Sequence, residues 1–258
     1  MKNAIATFIK YRPLLNNLIS RDIKVKYRRS FLGILWSVLN PLLMMIVMTI
    51  VFSHVFKFEI ENFPIYYLCG SLIFNFFSEA TQSSMSSIIN NSQLLKKVYI
   101  PKYVFPLERV LFALVNMLFS TIADFIVLIF QPVEPSFTMF LIPIPILYTF
   151  LFALGLSLLL SAAAVFFRDL IHLFSVVLTA WMYLTPLFYP LEILPDWLLP
   201  IVSHNPLCIF ITYFRDVFMY GTIPSLETNL ICVVICIVSI VVGMLAFKKS
   251  QDKFILYI

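Results

Sequence analysis

The chain has 258 residues, of which 61% are hydrophobic and only 12% are charged. Soluble domains are nearer half apolar and a quarter charged, so a soluble fold is excluded and lipid must be the solvent for much of the surface. The net charge of +5 requires no nucleic-acid partner, because it suits contact with an anionic inner membrane leaflet. The glycine count of 5 argues against a glycine-rich nucleotide-binding domain.

The N-terminal segment, residues 8–30, is predicted to be an amphipathic helix in the inner membrane interface. Its basic residues Arg21, Lys24 and Arg28 fall on a face other than the apolar one. The apolar face consists of Tyr11, Leu14, Leu15, Leu18 and Val25. The alternative is a basic, solvated tail. The first 29 residues hold eight basic residues and no long apolar core, so no cleavable signal peptide is expected.

Six apolar segments are long enough to cross about 30 Å of hydrocarbon and predict six transmembrane helices in one transmembrane domain over residues 1–258. These segments are residues 34–56, 64–86, 107–130, 139–167, 171–189 and 229–247. Pro143 and Pro145 lie near the start of the fourth segment and predict a tilt or a break there. The sequence carries no convincing internal repeat, and two copies of the chain would supply twelve helices.

The basic residues fix the expected orientation. With both termini in the cytoplasm, 16 of the 18 Lys and Arg residues lie on the cytoplasmic side, and only Lys57 and Arg215 lie on the outer side. The opposite orientation would invert that ratio, so the positive-inside rule favours cytoplasmic termini.

The loop of residues 87–106 is too polar to enter lipid, yet it carries an apolar cluster of Leu94, Leu95, Val98, Tyr99 and Ile100. An apolar cluster on a cytoplasmic loop indicates a partner surface. The alternative is a loop that folds back onto the membrane.

The outer region, residues 190–228, is predicted to hold a pair of short re-entrant helices between the fifth and sixth spans. Leu207–Met219 is apolar and aromatic but only 13 residues long, which is too short to span. The sequence Ser203–Pro206 before it is a turn signal.

Signatures of enzymes and metal sites are missing from the chain. It contains no phosphate-binding loop, no HExxH and no GxSxG, and no catalytic residue or bound metal is expected. The four cysteines form no CxxC pair and are interpreted as small apolar helix residues.

Two acids, Glu79 and Asp124, lie inside predicted spans. An ionised carboxylate at the bilayer centre costs at least ~2.5–3.5 kcal/mol, so each either lines a water-filled path or forms a hydrogen bond to a neighbouring helix. Aromatic residues also concentrate near the predicted outer exit, where they suit sugar stacking, an interfacial belt or packing. The candidate channel and gate residues among them are Tyr183, Tyr189, Phe210, Tyr213 and Phe214.

The run Arg21–Leu42, with the Leu32–Gly33 joint, Trp36 and Asn40–Pro41, resembles the start of the first span in polysaccharide-export ABC transporter permeases. These are type-2 ABC transporter membrane subunits that move O-antigen, capsule or teichoic acid chains. Further segments resemble the family in the same order along essentially the whole chain. They are KKVYIPK at Lys96–Lys102, FFRD at Phe166–Asp169, LTPLFYP at Leu184–Pro190 and HNP at His204–Pro206.

The resemblance implies a transport subunit of the bacterial inner membrane that is not itself an enzyme. Two copies would form a channel for a lipid-linked glycan, with two copies of a separate ATPase docked below and carrying ATP and Mg²⁺. Residues 90–106 would be the cytoplasmic coupling loop. The ATPase contacts would be Leu95, Lys96, Lys97, Tyr99, Ile100, Pro101, Lys102, Arg168 and Asp169. Arg28 and Arg29 are candidates, by charge and position, to meet the pyrophosphate of an incoming lipid-linked glycan, or they reach towards lipid headgroups.

Three other functions stay open at this point. They are a drug or small-lipid exporter of the same superfamily, a membrane enzyme acting on lipid-linked sugars, and a scaffold that recruits a cytoplasmic protein. The glycan's identity and length, the Gram type of the host and a glycan-binding domain on the ATPase are not determined by the sequence.

Overall fold

The structure is a computed structural model that describes residues 2–28, 32–56, 60–131 and 136–257. Within these ranges every regular element is a helix, which confirms the predicted all-α class. The α-helices are α1 (Lys2–Tyr27), α2 (Trp36–Thr49), α3 (Phe63–Met85), α4 (Ser87–Asn90), α5 (Ser92–Lys97), α6 (Val104–Phe130), α7 (Pro143–Phe166), α8 (Leu170–Tyr183), α9 (Leu199–Ser203), α10 (Pro206–Arg215), α11 (Leu226–Ser250) and α12 (Phe254–Tyr257). Single π-helical stretches extend α2 through Ile50–Val55 and α10 through Asp216–Tyr220.

Four helical stretches in the described residues are long and apolar enough to cross a membrane, which makes the chain a multi-pass membrane protein. They are Gly33–Ser53, Val104–Phe130, Phe137–Phe166 and Leu226–Tyr257. These stretches coincide with the first, third, fourth and sixth predicted spans. The count of six spans stays a prediction.

The two remaining predicted spans differ from these four in composition or length. Helix α3 is long enough to cross, but polar residues along it lower its mean hydropathy. Helix α8 is apolar but only 14 residues long, and it ends at Tyr183 instead of the predicted residue 189. Pro186 explains the early end, because a proline disfavours helical conformation in the residue before it and clashes with the preceding turn.

Two chain joints depend on local backbone chemistry. Between α1 and α2, Gly33 has a φ of 48°, a left-handed conformation that glycine adopts without a Cβ penalty. The break expected near Pro143 is present. A short 3-10 helix, Phe137–Leu141, ends just before α7, and Pro143 is the first residue of α7. Proline suits this position since its missing N–H needs no intrahelical partner there.

The predicted pair of short helices is present as α9 and α10, joined by His204 and Asn205. The Asn205 side chain caps α10 by accepting a hydrogen bond from the backbone N–H of Leu207 at 3.1 Å. It also accepts one from the Trp181 indole of α8 at 2.8 Å and donates to Thr185 at 2.9 Å. Asn205 therefore fixes the turn of the short-helix pair against the end of α8.

The hydrophobic interior has two parts. The larger cluster fills the bundle between α3, α6, α7 and α10. A second cluster lies at the end of the bundle where α1, α5, α12 and the start of α6 meet. Leu15 and Leu18 of α1 are buried in this second cluster, so part of the predicted apolar face packs on protein. Val25 at the other end of that face is 71% exposed.

Helices α7 and α11 approach each other closely through small residues. A Cβ atom added at Gly243 would collide with the backbone carbonyl oxygen of Gly155, and one added at Gly155 would collide with Ser239. Small residues permit this backbone contact, which is a common way for membrane helices to pack.

Candidate functional site

Three segments lie together at one end of the bundle. They are α5 with the loop after it, the turn between α7 and α8, and the C-terminal segment. We call this the basic end and define it as Ser92–Tyr103, Phe167–Asp169 and Gln251–Tyr257. Helix α5 and the C-terminal α12 are packed together in it. The sequence had predicted that its first two parts form the ATPase contact.

The loop of the basic end is anchored by two apolar side chains. Leu95 is 8% exposed and Ile100 is 6% exposed, and both belong to the second hydrophobic cluster together with Leu15 and Leu18 of α1. The apolar cluster predicted on this loop is therefore divided, with these two side chains holding the loop in place. Val98 and Tyr99 face outward and are 52% and 89% exposed.

The C-terminal segment connects the two other parts of the basic end. The Lys102 amine donates a hydrogen bond to the backbone carbonyl of Gln251, and its Nζ lies 5.7 Å from the centroid of the Phe254 ring. The Phe254 ring lies 5.9 Å from that of Phe166, and Tyr257 packs on Phe166 edge-on at 4.9 Å. Phe166 immediately precedes the turn Phe167–Asp169. A displacement of the loop would therefore reach this turn through packed rings.

The outward surface of the basic end mixes charged and apolar groups. Lys96, Lys97, Arg168 and Asp169 are exposed, and Phe167 is 73% exposed. Pro101 and Lys102 are partly exposed. The backbone carbonyl of Tyr99 accepts a hydrogen bond from the Tyr11 hydroxyl of α1 at 3.2 Å, so the exposed ring projects from a fixed backbone. Exposed aromatic side chains and an arginine on a held backbone are suited to a protein partner, because interfaces are enriched in both.

Burial raises the pKa of the neighbouring Tyr103 hydroxyl above its ordinary value, with Tyr11 contributing in the same direction. The hydroxyl is therefore neutral at physiological pH. The charge of this surface comes from its lysines, Arg168, Asp169 and Asp252.

Ion pairs attach α1 to the start of α6. Asp22 accepts from Arg109 at 2.7 Å and from Arg21 at 2.7 Å, and Arg109 also contacts Glu108 at 3.0 Å. These pairs were not predicted from the sequence. The available signal was Asp22, the one acid among the basic residues of the N-terminal segment.

The two acids predicted inside spans have different surroundings. Glu79 accepts hydrogen bonds from Asn116 at 2.8 Å and from Lys26 at 3.0 Å, so the hydrogen-bonded interpretation applies to it. Asp124 is 2% exposed, and its Oδ2 accepts no hydrogen bond within the described part of the chain.

Of the two arginines proposed to meet the lipid pyrophosphate, Arg28 is exposed just after α1, and its N–H bonds to the Lys24 carbonyl at 2.8 Å. Arg29 lies outside the described residues.

The five candidate gate aromatics separate into two groups. Tyr183 is 60% exposed and Tyr189 is partly exposed, and the Tyr189 hydroxyl donates to the Tyr183 carbonyl at 2.8 Å. The other three are interior residues of α10, and a channel or gate role for them stays a prediction. Phe210, Tyr213 and Phe214 are at most 3% exposed. They pack α10 into the bundle because its apolar face is turned to the large cluster.

Arg215, at the end of α10, was missed as a structural residue. It is 4% exposed, and its guanidinium donates to the backbone carbonyls of Tyr66 at 3.0 Å and Leu187 at 3.3 Å. It thereby ties the short-helix pair to α3 and to the segment after α8. No local sequence pattern points to this role, since Tyr66 and Arg215 are 149 residues apart.

Comparison with known proteins agrees with this architecture. The family model described as ABC-2 type transporter matches residues 13–219. An "O-antigen export system permease protein RfbA" of Myxococcus xanthus is 31% identical over 98% of both chains. A Klebsiella pneumoniae protein of the same name is 32% identical over 93% of both chains, and a second one from that organism is 30% identical over 93% of both.

ABC-2 permeases are transport subunits that pair with an ABC ATPase, and the exposed surface of the basic end has the chemistry of a protein contact. The family match and the near-full-length similarity also confirm the resemblance seen in the sequence. The chain belongs to the ABC-2 type transporter family as a membrane permease subunit and not as an enzyme.

Proposed function

We propose that this chain is the membrane subunit of an ATP-driven exporter that moves a lipid-linked polysaccharide of the O-antigen type across the bacterial inner membrane. Two copies would form the channel, and two copies of an ABC ATPase would bind the basic end from the cytoplasm. ATP and Mg²⁺ would be held by the ATPase. Both termini would lie in the cytoplasm together with the basic end.

The observation that carries this proposal is the similarity to O-antigen export permeases over nearly the whole length of both chains. It includes the N-terminal helix and the outer short-helix pair as well as the apolar spans. A shared apolar composition of the spans alone would not extend through the basic N-terminal helix.

The geometry of the basic end supports ATPase coupling. Tyr99, Arg168 and Asp169 are exposed, while Leu95 and Ile100 connect the same loop to the interior. A push on Tyr99 would be carried to α6 directly along the chain and to α1 through the Tyr11 contact. Because α1 is also paired to α6 through Asp22 and Arg109, these two helices would move together.

The path of the glycan is proposed from position and charge. Arg28 is exposed near the joint between α1 and α2, where it would meet the phosphate groups of the lipid-linked glycan. The outer gate would be formed by the short-helix pair, with Tyr183 and Tyr189 as the accessible aromatics.

The substrate is tested by deleting the gene in its host and measuring surface polysaccharide and cytoplasmic lipid-linked glycan together. We expect surface polysaccharide to disappear and lipid-linked glycan to accumulate inside, with both reversed by the wild-type gene. Normal surface polysaccharide of every kind would contradict the proposal and favour a drug or small-lipid exporter. Loss of a capsule or a teichoic acid alone would correct the type of glycan.

A further inference from the structure

A line of polar side chains crosses the middle of the bundle between α3 and α6. Ser71, Asn75 and Glu79 recur every four residues on α3, and Asn116, Ser120 and Asp124 recur every four residues on α6. Residues four apart lie on one face of a helix, so each set forms a polar ladder about 12 Å long. All six residues line one cavity of about 50 Å³, and we call them the polar seam.

The two ladders oppose each other because α3 and α6 run antiparallel. The Ser84 hydroxyl bonds to the Pro106 carbonyl at 3.3 Å, and Asn116 bonds to Glu79 at 2.8 Å. This register continues along the seam and places Ser71 towards Asp124. The polar residues are therefore brought together by helix pairing and are not scattered substitutions in an apolar bundle.

From Asn75 onward, the accessible side of α3 is polar. Asn75 and Gln82 are its exposed residues, and no large apolar side chain of Phe63–Met85 is exposed. Helix α6, by contrast, exposes apolar side chains such as Leu118 at 52% and Ile129 at 80%. Polar groups facing hydrocarbon are expensive, so this side of α3 faces water or protein, whereas α6 faces lipid.

The seam also contains unused hydrogen-bonding capacity. Asp124 is 2% exposed and lines the cavity, yet its Oδ2 accepts no hydrogen bond within the described residues. Leaving a buried polar atom without a hydrogen-bond partner costs about 1–3 kcal/mol of stability. A ligand hydroxyl or a water molecule that donates to Oδ2 would remove this cost. Asn75 lies one helical turn from Ser71, towards Glu79, and can both donate and accept.

We propose that the polar seam borders an aqueous path of the transporter and binds the hydroxyl groups of the transported glycan through Asn75 and Asp124. This inference rests on the proposed function. Hydroxyl groups both donate and accept, which matches an amide, a serine hydroxyl and a carboxyl group side by side. Phosphate is a poor ligand here, because Lys26, the cation beside the seam, is already paired with Glu79 and none of the six seam residues is basic, so the seam contacts the sugars and not the lipid pyrophosphate.

The size of the cavity determines how the glycan binds. About 50 Å³ accommodates waters or single hydroxyl groups, but not a whole sugar ring. The seam would therefore contact the edge of a passing chain, one or two hydroxyls at a time. Such contacts are weak and repeatable, which permits movement along the path.

The first arm of the test measures water access by cysteine labelling of the full complex in native membranes. Asn75→Cys and Gln82→Cys lie on the accessible side of α3, and Leu118→Cys is the control, since it lies at the depth of the seam on the lipid side of α6. The four native cysteines are buried and give a low background. A membrane-impermeant maleimide requires a hydrated thiolate, so we expect both α3 variants to react from at least one side of the membrane and Leu118→Cys to stay unreactive.

The second arm measures glycan export in Asn75→Leu and Asp124→Leu, again with Leu118→Cys as control. We expect each seam variant to reduce export about fivefold, the effect of losing one hydrogen bond, while variant protein remains at the wild-type level in the membrane. Asn75→Ser, which keeps a hydroxyl, should recover part of the loss.

The outcomes separate the two proposals. If the α3 cysteines are unreactive from both sides in a complex that exports glycan, the seam inference is overturned and the proposed function stands. Wild-type export in both Asn75→Leu and Asp124→Leu would overturn it equally. If the cysteines react but the wild-type complex exports no glycan, the proposed function fails, and glycan binding by the seam fails with it.

Discussion

The guanidinium carbon of Arg215 lies 3.4 Å from the centre of the Tyr66 ring, and the same guanidinium donates two hydrogen bonds to the Tyr66 backbone carbonyl. Its side chain is paired with carbonyls and a ring and forms no ion pair with a described acid. A buried cation is stable in such a position only when its donors are used and its flat face is covered. Arg215 therefore holds α10 against α3 by geometry as much as by charge.

Replacing Arg215 by Lys keeps the charge but removes the flat face and the forked donors. We expect Arg215→Lys to lower the stability of the purified protein by about 2 kcal/mol, measured by thermal unfolding in detergent. Arg168→Lys is the matched control, because Arg168 is exposed at the basic end, and it should leave stability unchanged. Equal stability of Arg215→Lys and wild type would contradict this role for Arg215.

Gly70 makes room for the same guanidinium. A Cβ atom at this position would lie 2.7 Å from the Arg215 Nη2 and 3.3 Å from the Leu187 side chain. Gly70→Ala should therefore displace Arg215 and destabilise the protein by about 1–3 kcal/mol. Combined with Arg215→Lys, it should cost less than the sum of the two single changes, since both disturb one contact. Strict additivity in the double-mutant cycle would show that the two positions are not coupled.

The contact between α7 and α11 gives a larger expected effect. Gly243→Ala would force its methyl group against the Gly155 carbonyl, which is backbone and cannot rotate away. We expect loss of the folded protein or a drop of more than about 3 kcal/mol in stability. Val242→Ala, one residue earlier and 47% exposed, is the control and should behave like the wild type. Near-normal yield and melting temperature for Gly243→Ala would exclude this backbone contact.

The ion pair between Asp22 and Arg109 predicts a specific pattern of coupling. Asp22→Asn should reduce stability by about 1 kcal/mol, and Arg109→Gln should reduce it further because buried Glu108 then also loses a cationic partner. The double variant should be no less stable than Arg109→Gln alone. Lys24→Gln on the exposed face of α1 is the control. A double variant that loses the sum of both single effects would mean that the pair contributes no interaction energy.

The long apolar runs predicted most helix positions. A run that crosses lipid must satisfy its backbone hydrogen bonds internally, and an α-helix does so. The non-spanning segment at residues 87–106 was also recognisable, since polar and basic residues there stand beside a short apolar cluster. The end of α8 was placed too late, because apolar character continues past Tyr183 while Pro186 already ends the helix.

Contacts between distant segments could not be predicted in the same way. Phe210, Tyr213 and Phe214 have the composition of a sugar-binding surface, but burial of α10 against α3 and α7 turns them inward. Whether Leu95 or Tyr99 is exposed depends on the second hydrophobic cluster, which combines residues from both ends of the chain. A stripe pattern identifies one face of a helix, and only tertiary packing decides which partner covers it.

The coupling of ATP hydrolysis through the basic end is the central claim and is tested most directly with the purified complex. The chain is co-expressed with its ABC ATPase and reconstituted, and ATP hydrolysis is compared for wild type, Tyr99→Ala and Phe137→Ala. Phe137 is the matched control, since it is 91% exposed before the first residue of α7, at the end of that helix remote from Phe166. We predict that Tyr99→Ala weakens the complex or lowers its ATPase rate at least about fivefold, while Phe137→Ala has no effect. A Tyr99→Ala complex with wild-type assembly and ATPase rate would contradict the account.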